Sequence, residues 1–137
     1  MYWSLIFLVG CANNSELQTS QNENYDNEKS LTFETISTGS LQTGDVLIEL
    51  TPAGIKNGKF EVEITANTHS VDLSQFDLMQ IITLEYNNKK LKPISALKLS
   101  GHHSSGTIAF SMSEQPPSFG IIITDIPLVE KRIFEWP

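Results

Sequence analysis

All three histidines of the chain fall in two short stretches, Thr68-His69-Ser70-Val71-Asp72-Leu73 and Gly101-His102-His103-Ser104-Ser105-Gly106. Two aspartates, Asp72 and Asp77, lie in or just after the first of them. Imidazole and carboxylate are ligand types that borderline divalent ions take up. One expectation is therefore a zinc or copper site made by His69 with His102 or His103, helped by Asp72 or Asp77. It requires the ring nitrogens to converge to the roughly 2.0–2.2 Å of a metal–nitrogen bond. Neighbouring side chains on a strand point to opposite faces, so on a strand only one of His102 and His103 could join His69; in a turn both could.

The same residues support a second expectation with no ligand in it. Asp72 and Asp77 are placed to accept backbone N–H bonds in a tight turn around residues 73–76, as helix caps do. His69 and one of the other two histidines would donate to carbonyls or to those aspartates. On that reading the motifs fix loops, and losing His69 costs stability rather than metal affinity.

Catalysis is the weakest reading. Ser70, Ser104 and Ser105 stand beside histidine and aspartate, but no nucleophile elbow surrounds them and serine is common in turns. No phosphate-cradling glycine spacing occurs. Glu61 and Glu63 read as a solvated face, whereas acid–base work needs a partner across a cleft. The expectation is a protein that is not an enzyme. The net charge is -7 and the pI about 4.8, and the densest basic cluster is Lys89-Lys90 with Lys92. Phosphate backbones would be repelled over most of such a surface, so nucleic acid is not expected as a partner.

The elements that must position these residues read as strands. A chain of 137 residues is of one-domain size. Residues 31–36 open a strand, and Val46, Ile48 and Leu50 alternate with Leu47 and Glu49. Thr51-Pro52-Ala53-Gly54 breaks the run, and Lys56-Asn57-Gly58-Lys59 is a hairpin signal. Phe60, Val62, Ile64 and Ala66 then face one way and Glu61, Glu63, Thr65 and Asn67 the other, which puts one face on a core and one in water. Residues 78–86 read as a β-rich run ending in a turn at Asn87-Asn88. Residues 90–99 are extended, with Pro93 marking an edge or bulge. Residues 107–112 alternate again, residues 119–123 look buried, and residues 131–136 close the domain. Phe33, Phe60, Phe110, Phe119, Phe134 and Trp136 fall on apolar, core-type positions. No segment keeps a helical period. The expected fold is all-β: an antiparallel two-sheet sandwich, immunoglobulin-like, of about seven to eight strands, with a small barrel as the alternative.

Residues 1–10 are apolar but too short to span a bilayer, which takes roughly 20 residues, and fit the core of a secretory signal. Leu8-Val9-Gly10-Cys11 resembles the lipobox of bacterial lipoproteins. The resemblance implies a lipid on Cys11, the chain's one cysteine, cleavage before it, and an anchor on the outer side of a membrane. Ala12 in place of aspartate favours an outer membrane where there is one. No Lys or Arg precedes the apolar run, which departs from that class. Residues 12–30 are rich in Asn, Gln, Ser and Glu and cannot bury enough apolar surface to offset their ordering entropy, so residues 11–30 read as the lipidated cysteine and a solvated tether, and residues 31–137 as the domain.

The two histidine stretches, with Phe76-Asp77-Leu78 and the closing Arg132-Ile133-Phe134-Glu135-Trp136, are similar to a pattern of uncharacterised secreted bacterial β-domains. The resemblance covers about residues 58–136. It implies a sandwich in which these histidines and aspartates belong together, and it brings no activity. Two function classes remain: an envelope lipoprotein with a zinc or copper site, and a non-catalytic module that binds a protein partner or stabilises an envelope complex.

Overall fold

The structure, a computed structural model, describes residues 31–137. The expected leader, Cys11 and the tether lie outside them. The described residues form nine strands in two antiparallel sheets. The first sheet contains β1 (Ile36–Thr38), β2 (Leu47–Lys56), β3 (Lys59–Asn67), β6 (Ser95–Ala96) and β7 (His103–Ser111), in the order β1-β2-β3-β7-β6. The second contains β4 (Ile82–Tyr86), β5 (Lys89–Leu91), β8 (Phe119–Thr124) and β9 (Lys131–Trp136), in the order β5-β4-β8-β9. This is the expected two-sheet sandwich. With β2-β3-β7-β6 facing β4-β8-β9, its strand order follows the immunoglobulin pattern. The strands beyond the seven or eight expected are pieces of two or three residues, too short to show a periodicity.

Alternation builds the core. Phe60, Val62, Ile64 and Ala66 of β3 point inward, opposite Ile121 and Ile123 of β8 and Phe134 of β9. The strand around residue 50 does not break at Pro52 as its sequence suggests. Instead β2 continues to Lys56 through a bulge between Pro52 and Gly54. Pro52 sits beside that bulge, opposite Val62 of β3 and beyond residues 48–50, the part of β2 that pairs with β1; bulges and strand edges are where sheets tolerate proline. Two other boundaries also differ. Residues 31–35 precede β1 rather than forming a strand. Residues 78–81 are a single helical turn, α1 (Leu78–Ile81), because the Asp77 side chain caps it by accepting from the Met79 N–H at 3.0 Å.

The sandwich has two distinct ends. At one, the β2–β3 and β4–β5 hairpins turn, and Phe119 packs on Phe60, Phe33 and Trp136 with ring centroids 5.0, 5.6 and 5.2 Å away. Here Trp136 Nε1 donates to the Glu34 carbonyl at 2.8 Å, so the start of the described chain sits at this end. At the other end lie both histidine stretches. About nine residues of strand, roughly 30 Å, separate the two.

One charged side chain crosses between the sheets. Arg132 on β9 is 1% exposed and alternates inward with Phe134 and Trp136. Its Nη2 meets Asp45 Oδ1 at 3.0 Å and donates to the Pro127 carbonyl at 3.1 Å. Its Nη1 donates to the Val46 carbonyl at 2.8 Å and Thr38 Oγ1 at 3.2 Å. Its Nε has no partner among the described residues. Such a pair is costly to bury and costlier to break, because removing one partner strands the other charge. Burial pushes the Asp45 pKa up, but hydrogen bonds from the Ser40 hydroxyl, the Val46 N–H and Arg132, with the Arg132 charge, outweigh burial and hold it below the ordinary 3.8.

Room for the guanidinium comes from Gly39, at φ +82°, where a Cβ would overlap both the Val46 carbonyl and Arg132 Nη1. Gly39→Ala should therefore cost at least about 2 kcal/mol in urea unfolding, from left-handed strain plus overlap. Gly54→Ala, at φ +88° with open space around it, should cost only the backbone part, about 1 kcal/mol. Because the folded state holds the Asp45 proton less tightly than the unfolded chain, its contribution to stability is complete above about pH 5 and falls as pH drops through the folded pKa, below 3.8. Unfolding curves at pH 6 and pH 3 should show a smaller loss for Asp45→Asn than for the native chain.

Candidate functional site

The two histidine stretches meet, and backbone bonds join them. The Thr68 N–H donates to the His102 carbonyl at 2.9 Å, and the Leu73 N–H to the Gly101 carbonyl at 3.0 Å. The register of β3 with β7 brings this about, since it ends by setting Asn67 opposite His103. Thr68 is 0% exposed and ties the junction to the domain below. Its hydroxyl donates to the Asp45 carbonyl at 2.7 Å and accepts from the Ser70 and Val71 N–H groups at 3.3 and 3.2 Å.

The two aspartates act as caps. Asp72 Oδ1 accepts from the Ser74 N–H at 3.0 Å and the Ser74 hydroxyl at 2.7 Å, closing a 3-10 turn over Leu73–Gln75. The Ser74 hydroxyl and then its N–H lower the Asp72 pKa, against slight burial, and the charge of His102 adds to the lowering. Asp77 caps α1 in the same way. Between them Leu73 and Leu78 are driven into the core, at 0% and 1% exposure. The crossover from the first sheet to the second is thus pinned by two carboxylates outside and two leucines inside.

The histidines lie on the surface. His69, His102 and His103 are all exposed. His103 Nδ1 donates to Asn67 Oδ1 at 2.9 Å, across the end of the β3–β7 ladder. Among the described residues no group of three or more His, Cys, Asp and Glu side chains is placed to hold a metal ion. The loops expected to meet do meet, yet their meeting assembles no ligand set for the zinc or copper reading among those residues. The serines are engaged with backbone. Ser70 Oγ accepts from the Gly44 N–H at 2.6 Å, and Ser104 Oγ donates to the Ser100 carbonyl at 2.8 Å while accepting from the Ser100 N–H at 3.0 Å. Ser105 is exposed on β7.

Asp45 and Arg132 went unrecognised in the sequence as partners of this end. The available signal was the parity of residues 131–136, which puts Arg132 on the same face as Phe134 and Trp136. Two surface depressions lie away from the histidines. A trough of about 930 Å³ runs over the outer face of the second sheet, past Glu85, Gly120, Ile122, Ile133 and Glu135. A smaller hollow of about 460 Å³ lies between the hairpin tips and the β7–β8 loop. Compared with known protein families, curated proteins and solved structures, the chain matches none.

Asp77→Ala should lower stability by about 1 kcal/mol in chemical denaturation, the usual worth of a cap. Asp72→Ala should lower it in the same direction. His69→Ala, with no hydrogen bond to lose among the described residues, should change it by less than about 0.5 kcal/mol.

Proposed function

We propose that this chain is a lipid-anchored envelope protein whose sandwich is a non-catalytic interaction module, presenting its histidine-bearing end to a protein partner. The observation that carries this reading is the capping role of Asp72 and Asp77, joined to the backbone bonds between the two loops. Side chains committed to local backbone make a rigid loop surface, and rigid loops on a sandwich are what recognition uses. Exposed imidazoles on such a surface suit a partner by hydrogen bonding and charge. The polarity of the domain supports the same reading. The described residues begin at the hairpin end, and the histidine loops lie at the opposite one. The lipobox-like Leu8-Val9-Gly10-Cys11 supports the anchor.

Two measurements test the two halves. Cells fed labelled palmitate should incorporate it into the native chain and not into Cys11→Ser; equal labelling of both overturns the anchor. Thermal unfolding of the purified chain should be unmoved by zinc or copper at tenfold excess. A ligand present at about 100 times its Kd raises stability by roughly 2.7 kcal/mol, so a clear rise that His69→Ala abolishes would replace the loop reading with a metal site.

A further inference from the structure

Three of the four sheet edges are guarded. β1 and β6 are only three and two residues long, and Pro93 precedes β6. β5 has three residues, two of them lysines. Just past it, Lys92 Nζ donates to the Gln80 and Ile82 carbonyls at 2.7 and 3.1 Å, covering polar groups beside β4. Short strands, proline and lysine are how soluble sheets prevent edge-to-edge pairing. β9 is guarded less: it has one lysine, Lys131, at its start, Arg132 turned inward, and Pro137 only beyond its end. It is six residues long, and among the described residues its backbone pairs only with β8. Ile133, at its middle, points outward and is 50% exposed. The segment over residues 34–38 approaches β9 along this margin, held by Arg132 and Trp136 from the inward face; it makes no backbone hydrogen bond to β9 among the described residues and leaves the outward row free.

We infer that two copies of this chain pair through β9, antiparallel, on a two-fold axis at Ile133. The outward row reads Lys131, Ile133, Glu135. An antiparallel register centred on Ile133 sets Lys131 against Glu135 of the partner subunit, and Ile133 against Ile133 of the partner subunit. The row is complementary to itself only in this arrangement; a parallel pairing would oppose lysine to lysine and glutamate to glutamate, which destabilises cross-strand pairs. Neither Lys131 nor Glu135 makes an ion pair among the described residues. The pairing also extends an existing cross-strand row. Lys90 pairs with Glu85 at 3.2 Å, Glu85 lies opposite Gly120, and Gly120 lies opposite Glu135. A lysine from the second copy would answer Glu135 as Lys90 answers Glu85.

The contact is isologous, so it closes at two copies, and the guarded edges stop further growth. A single strand pair is small beside the roughly 1,600 Å² of a standard interface. The dimer is therefore weak in dilute solution, and two-dimensional confinement of anchored chains would strengthen it. Nothing in this inference depends on the histidine loops or their partner.

The test is site-directed cross-linking in the full chain carrying Cys11→Ser, with a short bifunctional maleimide. Ile133→Cys should form covalent dimer at least tenfold faster than Ser113→Cys, an exposed control in the β7–β8 loop. Adding Lys131→Glu alone, or Glu135→Lys alone, should reduce the rate to that of the control. Adding both should restore it, because the exchanged charges are again complementary. Equal rates for Ile133→Cys and the control overturn the dimer. Cross-linking indifferent to the single reversals, or not recovered in the double exchange, overturns the two-fold register.

Discussion

The buried contact between Arg132 and Asp45 is the constraint from which the rest of the domain follows. It is the only ion pair among the described residues with both side chains nearly removed from solvent, at 0% and 10% exposure. It joins the sheets at the margin where β1 and β9 approach each other. It also begins a chain of bonds that ends in the histidine loops. Arg132 holds the Asp45 carboxylate, the Asp45 carbonyl receives the Thr68 hydroxyl, and the Thr68 N–H reaches the His102 carbonyl. An apolar residue of similar volume at position 132 could fill the space, and buried ion pairs are often replaceable on energetic grounds alone. What an apolar residue could not do is hydrogen-bond both the β1–β2 connection and the β8–β9 loop and so fix their direction.

This explains how a surface of small polar residues keeps its shape. Loops rich in Ser, Gly and His have little apolar area to hold them, and ordering each residue costs about 1–2 kcal/mol of backbone entropy. Here the ordering comes from below, through Thr68 and Asp45, and from the sides, through the Asp72 and Asp77 caps. The imidazoles themselves contribute little to it and remain available. That division, with scaffold residues buried and recognition-type residues exposed, is the physical basis of the proposed interaction module.

Much of the scaffold was legible in the sequence. Strict alternation over Phe60 to Asn67 announced a half-buried strand, and Lys56-Asn57-Gly58-Lys59 announced its hairpin; both describe β3 and the turn before it. The capping of Asp72 and Asp77 was legible too, as one of two readings of the same carboxylates. Residue types alone could not choose between caps and metal ligands, because the choice depends on distances set by the β3–β7 register. The run from Leu78 to Tyr86 looked like uninterrupted strand since a four-residue helical turn leaves no periodicity to detect. Arg132 was hidden for a different reason: a charge in a strand reads as solvent-facing unless its partner is known, and Asp45 lies 87 residues away.

Amide hydrogen exchange in Arg132→Met measures the dependence of the histidine loops on the buried pair most directly. The Thr68 and Leu73 amides, which bond the His102 and Gly101 carbonyls, should lose at least about a hundredfold of their protection, close to 2.7 kcal/mol of local opening energy. Val62, in the middle of β3, should lose much less. Protection of Thr68 and Leu73 that stays as in the native chain, or falls only in step with Val62, would contradict the account.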